Sequence, residues 1–279
     1  MLEGPIEEII KNLKLNIMGK MFENKLYKGK VTLLFDVYQH KYTWVEEDVE
    51  IKSVTNALKV INKPALITWA ANMACDYISE CIEPGKSYDE LQIANMLEKA
   101  RQAHWQTKKE AGGLGTLLHK WIEDYINGRR PGVPVNAHMK ASVKRFLKWK
   151  KDHNVKFLLS EQVIFSRKYK YSGTTDFICE IDGKLFIGDL KTSKGIYAEM
   201  LMQTAAYRYA REEEYPEEKI HGMLILRIGS DGTFEVGYVI GKDIYKKLFM
   251  AFVYALNLSN SVEYLEKYRP AKVLGTVSI

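Results

Sequence analysis

Cysteine is scarce in this chain of 279 residues: Cys75, Cys81 and Cys179 are the whole set. Three thiols without a Cys-x-x-Cys pair exclude a disulfide framework and a cysteine zinc site. No apolar run approaches the ~18 residues of a membrane span. The start, Met1-Leu-Glu-Gly-Pro-Ile-Glu-Glu8, is too acidic for a signal or transit peptide. Together these lead to the expectation of a protein of a reducing cytoplasm, microbial or in a virus-infected host cell, with no membrane partner. A phosphate-cradling Gly-Lys-Ser/Thr loop is also missing, so any motor would be another protein. There is no internal repeat and no low-complexity linker. Charge of neither sign is short: 41 Lys and Arg against 35 Asp and Glu leave +6, mildly basic and compatible with a polyanionic partner. The apolar fraction of 46% is that of a folded globular protein.

What is present is concentrated between Gly173 and Ser193. Asp182-Gly183 has the composition of a two-residue hairpin turn. It is flanked by the apolar runs Phe177-Ile178-Cys179 and Leu185-Phe186-Ile187, which read as strands. Side chains alternate along a strand, so Asp189 and Lys191 share a face and Leu190 takes the other. A hairpin closed at Asp182-Gly183 returns Asp176 alongside Asp189. Two carboxylates and an ammonium at the end of apolar strands are costly unless they pair or hold a metal.

Asp176 followed by Asp189-Leu190-Lys191 resembles the signature of the PD-(D/E)XK nuclease superfamily. Gln203-Thr-Ala-Ala-Tyr207 resembles the QxxxY motif of its RecB-like branch, and Gly115-Thr-Leu-Leu-His119 resembles the helical motif in which a histidine joins the metal site. The four motifs cover roughly residues 110 to 210 in order. The resemblance implies a mixed central sheet flanked by helices, an α/β fold, and hydrolysis of phosphodiester bonds in DNA. It implies Mg2+ or Mn2+ held by His119, Asp176, Asp189 and the Leu190 carbonyl. Lys191 would orient or deprotonate the attacking water, with Asp176, Asp189 and Lys191 as the catalytic set. Gln203 and Tyr207 would support the site and touch the nucleic-acid backbone, and Thr192 and Ser193 could donate to a phosphate. Some relatives carry four cysteines for an iron–sulfur cluster; this chain lacks them, so none is expected.

Two acids stay open. Glu123, four residues after His119 and on its face, is either a partner fixing the imidazole or a solvated charge. Glu161, one strand before Asp176, either faces the same cleft or is a strand-edge charge, and the second is preferred. Residues 1–110 read as a mainly helical accessory region, with a helix over 5–18, a small hairpin around 31–49 and helices from Pro64 to Lys109. Residues 111–279 read as the nuclease core, and Ala111-Gly-Gly-Leu-Gly115 as a helix break between the two parts. Lys63, Trp69, His104, Trp105 and Lys109 mix basic and aromatic residues as single-strand channels do. The expectation is a stand-alone exonuclease acting at single-stranded DNA ends. A structure- or sequence-specific endonuclease on the same core, and an idle nucleic-acid-binding module, are the alternatives.

Overall fold

The structure, a computed structural model, describes residues 21–229 and 231–268. The helix expected over 5–18 lies outside them. Four strands come first: β1 (Met21–Leu26), β2 (Val31–Asp36), β3 (Lys41–Trp44) and β4 (Val49–Ser53). They form an antiparallel meander, where one hairpin was expected. The outer strands escaped the sequence reading because Met-Phe-Glu-Asn-Lys-Leu and Val-Glu-Ile-Lys-Ser are too polar to register as strands, as suits the edge in the case of β1. Ser53 caps the short helix α1 (Val54–Ala57), accepting from the Asn56 amide. Then come α2 (Pro64–Cys81), which starts on its proline, and α3 (Glu90–Ile126), opened by a capping box between Asp89 and Gln92.

Helix α3 runs unbroken through Ala111–Gly115, correcting the expected break. A glycine weakens a helix by about 1 kcal/mol relative to alanine but ends it only where it turns left-handed. Gly112, Gly113 and Gly115 are absent from the glycines with positive φ.

After α4 (Ala137–Asp152) the expected series follows in order: β5 (Lys156–Ser166), β6 (Tyr171–Ile181), β7 (Lys184–Lys191), α5 (Ala198–Glu214), β8 (Ile220–Ile228), β9 (Phe234–Ile240) and α6 (Lys242–Glu266). Asp182 and Gly183 turn β6 into β7 with φ of 49° and 73°, the left-handed pair of a type I′ hairpin. Strands β7 and β8 pair in parallel. Buried on both faces, they read as nearly continuous apolar runs.

The sheet is covered on both sides. Alternation along β6 sends Phe177 and Cys179 to one core with Leu118 and Ile122 of α3 and Phe146 and Trp149 of α4. It sends Ile178 to the other core, with Ala206 and Tyr207 of α5 and Phe252 and Leu256 of α6. Val54, Ala57 and Leu58 join this second core, so the segment after β4 is packed against it. The meander has a third core around Leu33, Trp44, Ile51 and Phe165.

Strand β6 is forked. β5 pairs with it along almost its whole length. On the opposite edge β4 pairs in parallel at Tyr171 and Ser172, whereas β7 pairs antiparallel only from Phe177 onward. Residues 173–176 lie between the two neighbours, where the ladder is open.

Candidate metal and nucleic-acid site

The fork in β6 is where the polar groups gather. With Phe177 opposite Gly188, Asp176 falls beside Asp189, as the hairpin reading required. Asp176 Oδ2 accepts the Leu190 amide at 2.5 Å, filling the gap in the ladder with a side chain.

Helix α3 brings His119. Its approach depends on Gly115, one turn earlier: a Cβ there would lie 2.5 Å from Thr192 Oγ1 and 3.1 Å from Thr192 Cβ. Only glycine lets the helix rest on the end of β7. His119 Nε2 then reaches Asp176 Oδ2 at 3.2 Å. That hydrogen bond raises the imidazole above its ordinary value, against the opposing effect of burial. Gly173 works the same way on the other side. A Cβ there would sit 2.9 Å from Tyr207 Cε1, so the α5 tyrosine rests directly on the site strand.

Glu161, left open by the sequence, comes close to His119 and Asp176. The register places it across from Asp176, between Ser160 opposite Phe177 and Gln162 opposite Thr175. A register shift lies just before it, between Phe157 and Leu159, and its own φ is +51°. A left-handed glutamate inside a strand is strained, the kind of departure that bulges use to re-aim a side chain. Ligand atoms of His119, Glu161 and Asp176 all lie within 4.8 Å of one another. Partial enclosure and then the neighbouring Asp176 push the Glu161 carboxyl up to about 7, opposed by His119. Glu161 thus lies close to His119 and Asp176 while remaining exposed to solvent.

Asp189 stands slightly apart. It is wholly buried. Oδ1 accepts from Gln203 Nε2 at 3.2 Å. Oδ2 makes no regular hydrogen bond and meets the Lys191 ammonium in an ion pair. Burial first, then the charge of Asp176, push its carboxyl up to about 7, with Lys191 opposing. Gln203 also donates to the Tyr207 hydroxyl at 2.6 Å. Gln203 and Tyr207 are themselves buried, so they meet Asp189 and each other. A direct contact of Tyr207 with a nucleic-acid backbone, as expected from sequence, finds no exposed surface here. Ser193 donates its hydroxyl to Gly195 O at 2.7 Å, while its carbonyl accepts from Arg227 Nε at 2.8 Å. Glu123 pairs with Lys120 at 3.1 Å and acts on the cluster by helping to raise Glu161.

The donor set fits a divalent cation. Two carboxylates and one imidazole are donors that a divalent cation can take. Carboxyls that repel one another have reason to accept a cation between them. The first region also contributes a wall: the Tyr42 hydroxyl lies 3.2 Å from Thr174 Oγ1.

No family model matches the chain, and no curated protein matches it. Among solved structures it is similar to a "Putative exonuclease" from Eubacterium rectale, with 14% identity, covering 53% of this chain and 68% of that one, at a TM-score of 0.35. It is also similar to SSO0001, with 15% identity, covering 73% of this chain and 96% of that one, at a TM-score of 0.31. Similarity this distant assigns no activity.

Proposed function

We propose that the chain is a divalent-metal-dependent nuclease that hydrolyses phosphodiester bonds in DNA from a single-stranded end. The observation that carries this reading is the convergence of His119, Glu161 and Asp176 beside the buried Asp189 and its ion-pair partner Lys191. His119, Glu161 and Asp176 would hold the cation, and by resemblance Asp189 and the Leu190 carbonyl would complete its shell. Once bound, the cation supplies a more acidic water and offsets charge developing on the phosphate.

The other residues have separate tasks. The Lys191 ammonium, anchored by Asp189, is placed to orient the attacking water and exchange a proton with it. Gln203 and Tyr207 lock the Asp189 rotamer and so act through it. Thr192, partly exposed at the end of β7, is the candidate donor to phosphate.

The end requirement is supported by the α2–α3 pair. No residue of α2 is fully buried. Lys63, just before α2, pairs with Glu199 of α5 at 2.7 Å, and α3 carries His119. The pair thus rises from the two helices that border the site. Trp69, His104 and Trp105 cluster on it, with ring centroids 6.4 and 5.5 Å apart, a surface suited to stacked bases. A passage between this arm and the sheet would admit one strand more readily than a duplex.

The test is purified protein with Mg2+, Mn2+ or EDTA against end-labelled linear single-stranded, linear duplex and closed circular single-stranded DNA. Metal-dependent loss of the linear single strand alone supports the proposal. Equal digestion of the circle transfers it to an endonuclease. Binding without cleavage under any metal leaves only a nucleic-acid-binding module.

A further inference from the structure

A cavity of about 630 Å3 opens between the end of α3, the loop after it, α4 and the start of β5. Its floor is aromatic. Trp121 and Tyr125 stack at 5.5 Å and 7°, and Phe157 adjoins them. The loop is fastened over this floor by Trp121 Nε1, which donates to Gly132 O at 2.7 Å. The rim is basic: Arg129, Arg130, Lys150 and Lys156. Two of these are neutralised, Arg129 by Asp124 at 2.7 Å and Lys156 by Glu180 at 3.1 Å. Among the described residues, Arg130 and Lys150 have no acidic partner, and Lys150 lies over the Tyr125 ring at 5.9 Å. A flat apolar floor under two uncompensated cations is complementary to a base joined to phosphate.

The cavity shares two elements with the candidate site. Tyr125 lies six residues beyond His119 on α3, about 9 Å at 1.5 Å per residue. Phe157 lies four residues before Glu161 on β5, about 13 Å at 3.3 Å per residue. A stacked strand advances about 3.4 Å per unit, so the cavity stands three or four units from the cluster. We propose that it binds the nucleotide three or four units from the bond being cleaved, with its base against Trp121 and Tyr125 and phosphate oxygens on Arg130 and Lys150. The position along the strand rests on the nuclease reading; the nucleotide chemistry of the cavity does not.

Oligothymidylates of 3 and 12 units are titrated with EDTA present, on the full chain and on Arg130→Ala/Lys150→Ala. Both residues lie at the rim, and equal melting temperatures confirm folding. Each phosphate neutralised on a single strand adds about 0.7 to the slope of log affinity against log salt. The 12-mer should therefore lose about 1.4 from that slope and on the order of tenfold in affinity, with the 3-mer nearly unaffected. Photo-crosslinks from 4-thiothymidine three or four units from the cleaved bond should map to Trp121, Tyr125 or the adjoining loop. In turnover with Mn2+, KM for the 12-mer should rise with kcat unchanged. An unchanged salt slope, or crosslinks confined elsewhere, overturns the proposal. If the parent cleaves nothing yet its 12-mer crosslinks to Tyr125 with the expected slope, the nuclease reading fails and the nucleotide site stands.

Discussion

Three glycines of α3 make a matched experiment within one helix. Alanine in place of a helical glycine gains ~0.5–1 kcal/mol from reduced backbone entropy. At Gly112 and Gly113 a Cβ meets nothing within 4 Å, so Gly112→Ala and Gly113→Ala should each be more stable by about that amount. At Gly115 the new Cβ falls 2.5 Å from Thr192 Oγ1 and 3.1 Å from Thr192 Cβ. Rotating the threonine removes the first conflict but not the second, so helix and strand must separate by several tenths of an ångström. Overpacking of this kind costs about 1–3 kcal/mol. Set against the same propensity gain, Gly115→Ala should be less stable than the parent by about 0–2 kcal/mol. The contrast with Gly112→Ala is then about 2 kcal/mol, on the order of 5 °C in Tm for a chain of this size. His119 rides one turn beyond Gly115, so Mn2+ affinity should fall roughly tenfold, a loss in line with the sensitivity of sites to sub-ångström shifts. Urea unfolding in EDTA gives the stability, and isothermal titration gives the metal affinity. Adding Thr192→Ala should recover little of the lost stability, because it keeps the Cβ that lies 3.1 Å from the new methyl, whereas Thr192→Gly removes that atom and should relieve the conflict itself. If Gly115→Ala is stabilised like Gly112→Ala and binds Mn2+ as the parent does, the close approach of α3 to β7 is not what places His119.

Further outcomes follow from the same cluster. Asp189→Asn or Lys191→Ala should lower cleavage at least ~100-fold while leaving oligonucleotide binding in EDTA close to the parent's; turnover near the parent's in either variant refutes their assignment. His119→Ala should raise the Mn2+ concentration needed for half-maximal activity more than it weakens DNA affinity, and superimposable metal titrations would remove His119 from the ligand set. Without metal, the Asp189 and Glu161 carboxyls titrate at about 7, above their unfolded values; the native state then binds more protons than the unfolded one, so stability falls as pH rises from about 4 to about 7. His119, also raised, adds a loss above its unfolded value in the same direction. Chelated protein should therefore melt lower at pH 8 than at pH 5.5, and Mn2+ should raise Tm more at pH 8; a Tm that climbs with pH in EDTA contradicts the clustering of these acids.

Much of the fold could be read from the sequence because the relevant signals are local. The I′ turn at Asp182-Gly183, the alternation of Phe177, Ile178 and Cys179, and the proline start of α2 each depend on a few adjacent residues, and each element lies within a few residues of its expected place. The meander was only half visible because its outer strands carry polar side chains toward solvent, with no apolar period to count. Glycine in α3 misled because composition does not reveal φ. The sequence contains Gly112, Gly113 and Gly115 as equivalents, whereas only the third is pressed against another element. That distinction is tertiary. It would have required knowing that Thr192 lies opposite, 77 positions away in the chain.

Glu161 shows most clearly what a sequence withholds. Strand periodicity assigns each side chain a face by counting from its neighbours, and the count fails wherever an extra residue enters the ladder. Here the register shifts between Phe157 and Leu159, and Glu161 itself takes a left-handed φ. Counting along β5 therefore could not decide whether this acid faced the cleft. A left-handed conformation at a non-glycine residue costs on the order of 1–3 kcal/mol, and it persists only where the surroundings demand it. The nearby Asp176 makes matters worse for the metal-free protein, since it is among the causes that raise Glu161. Strain and charge repulsion thus coincide at one residue, and neither improves packing. A cation shared with His119 and Asp176 relieves the repulsion and gives the re-aimed carboxylate a purpose. Glu161→Gln keeps the shape but removes the charge that repels Asp176. It should therefore stabilise the chelated protein at pH 8 while weakening Mn2+ binding, and a variant that loses stability without losing metal affinity would mean the bulge serves packing alone.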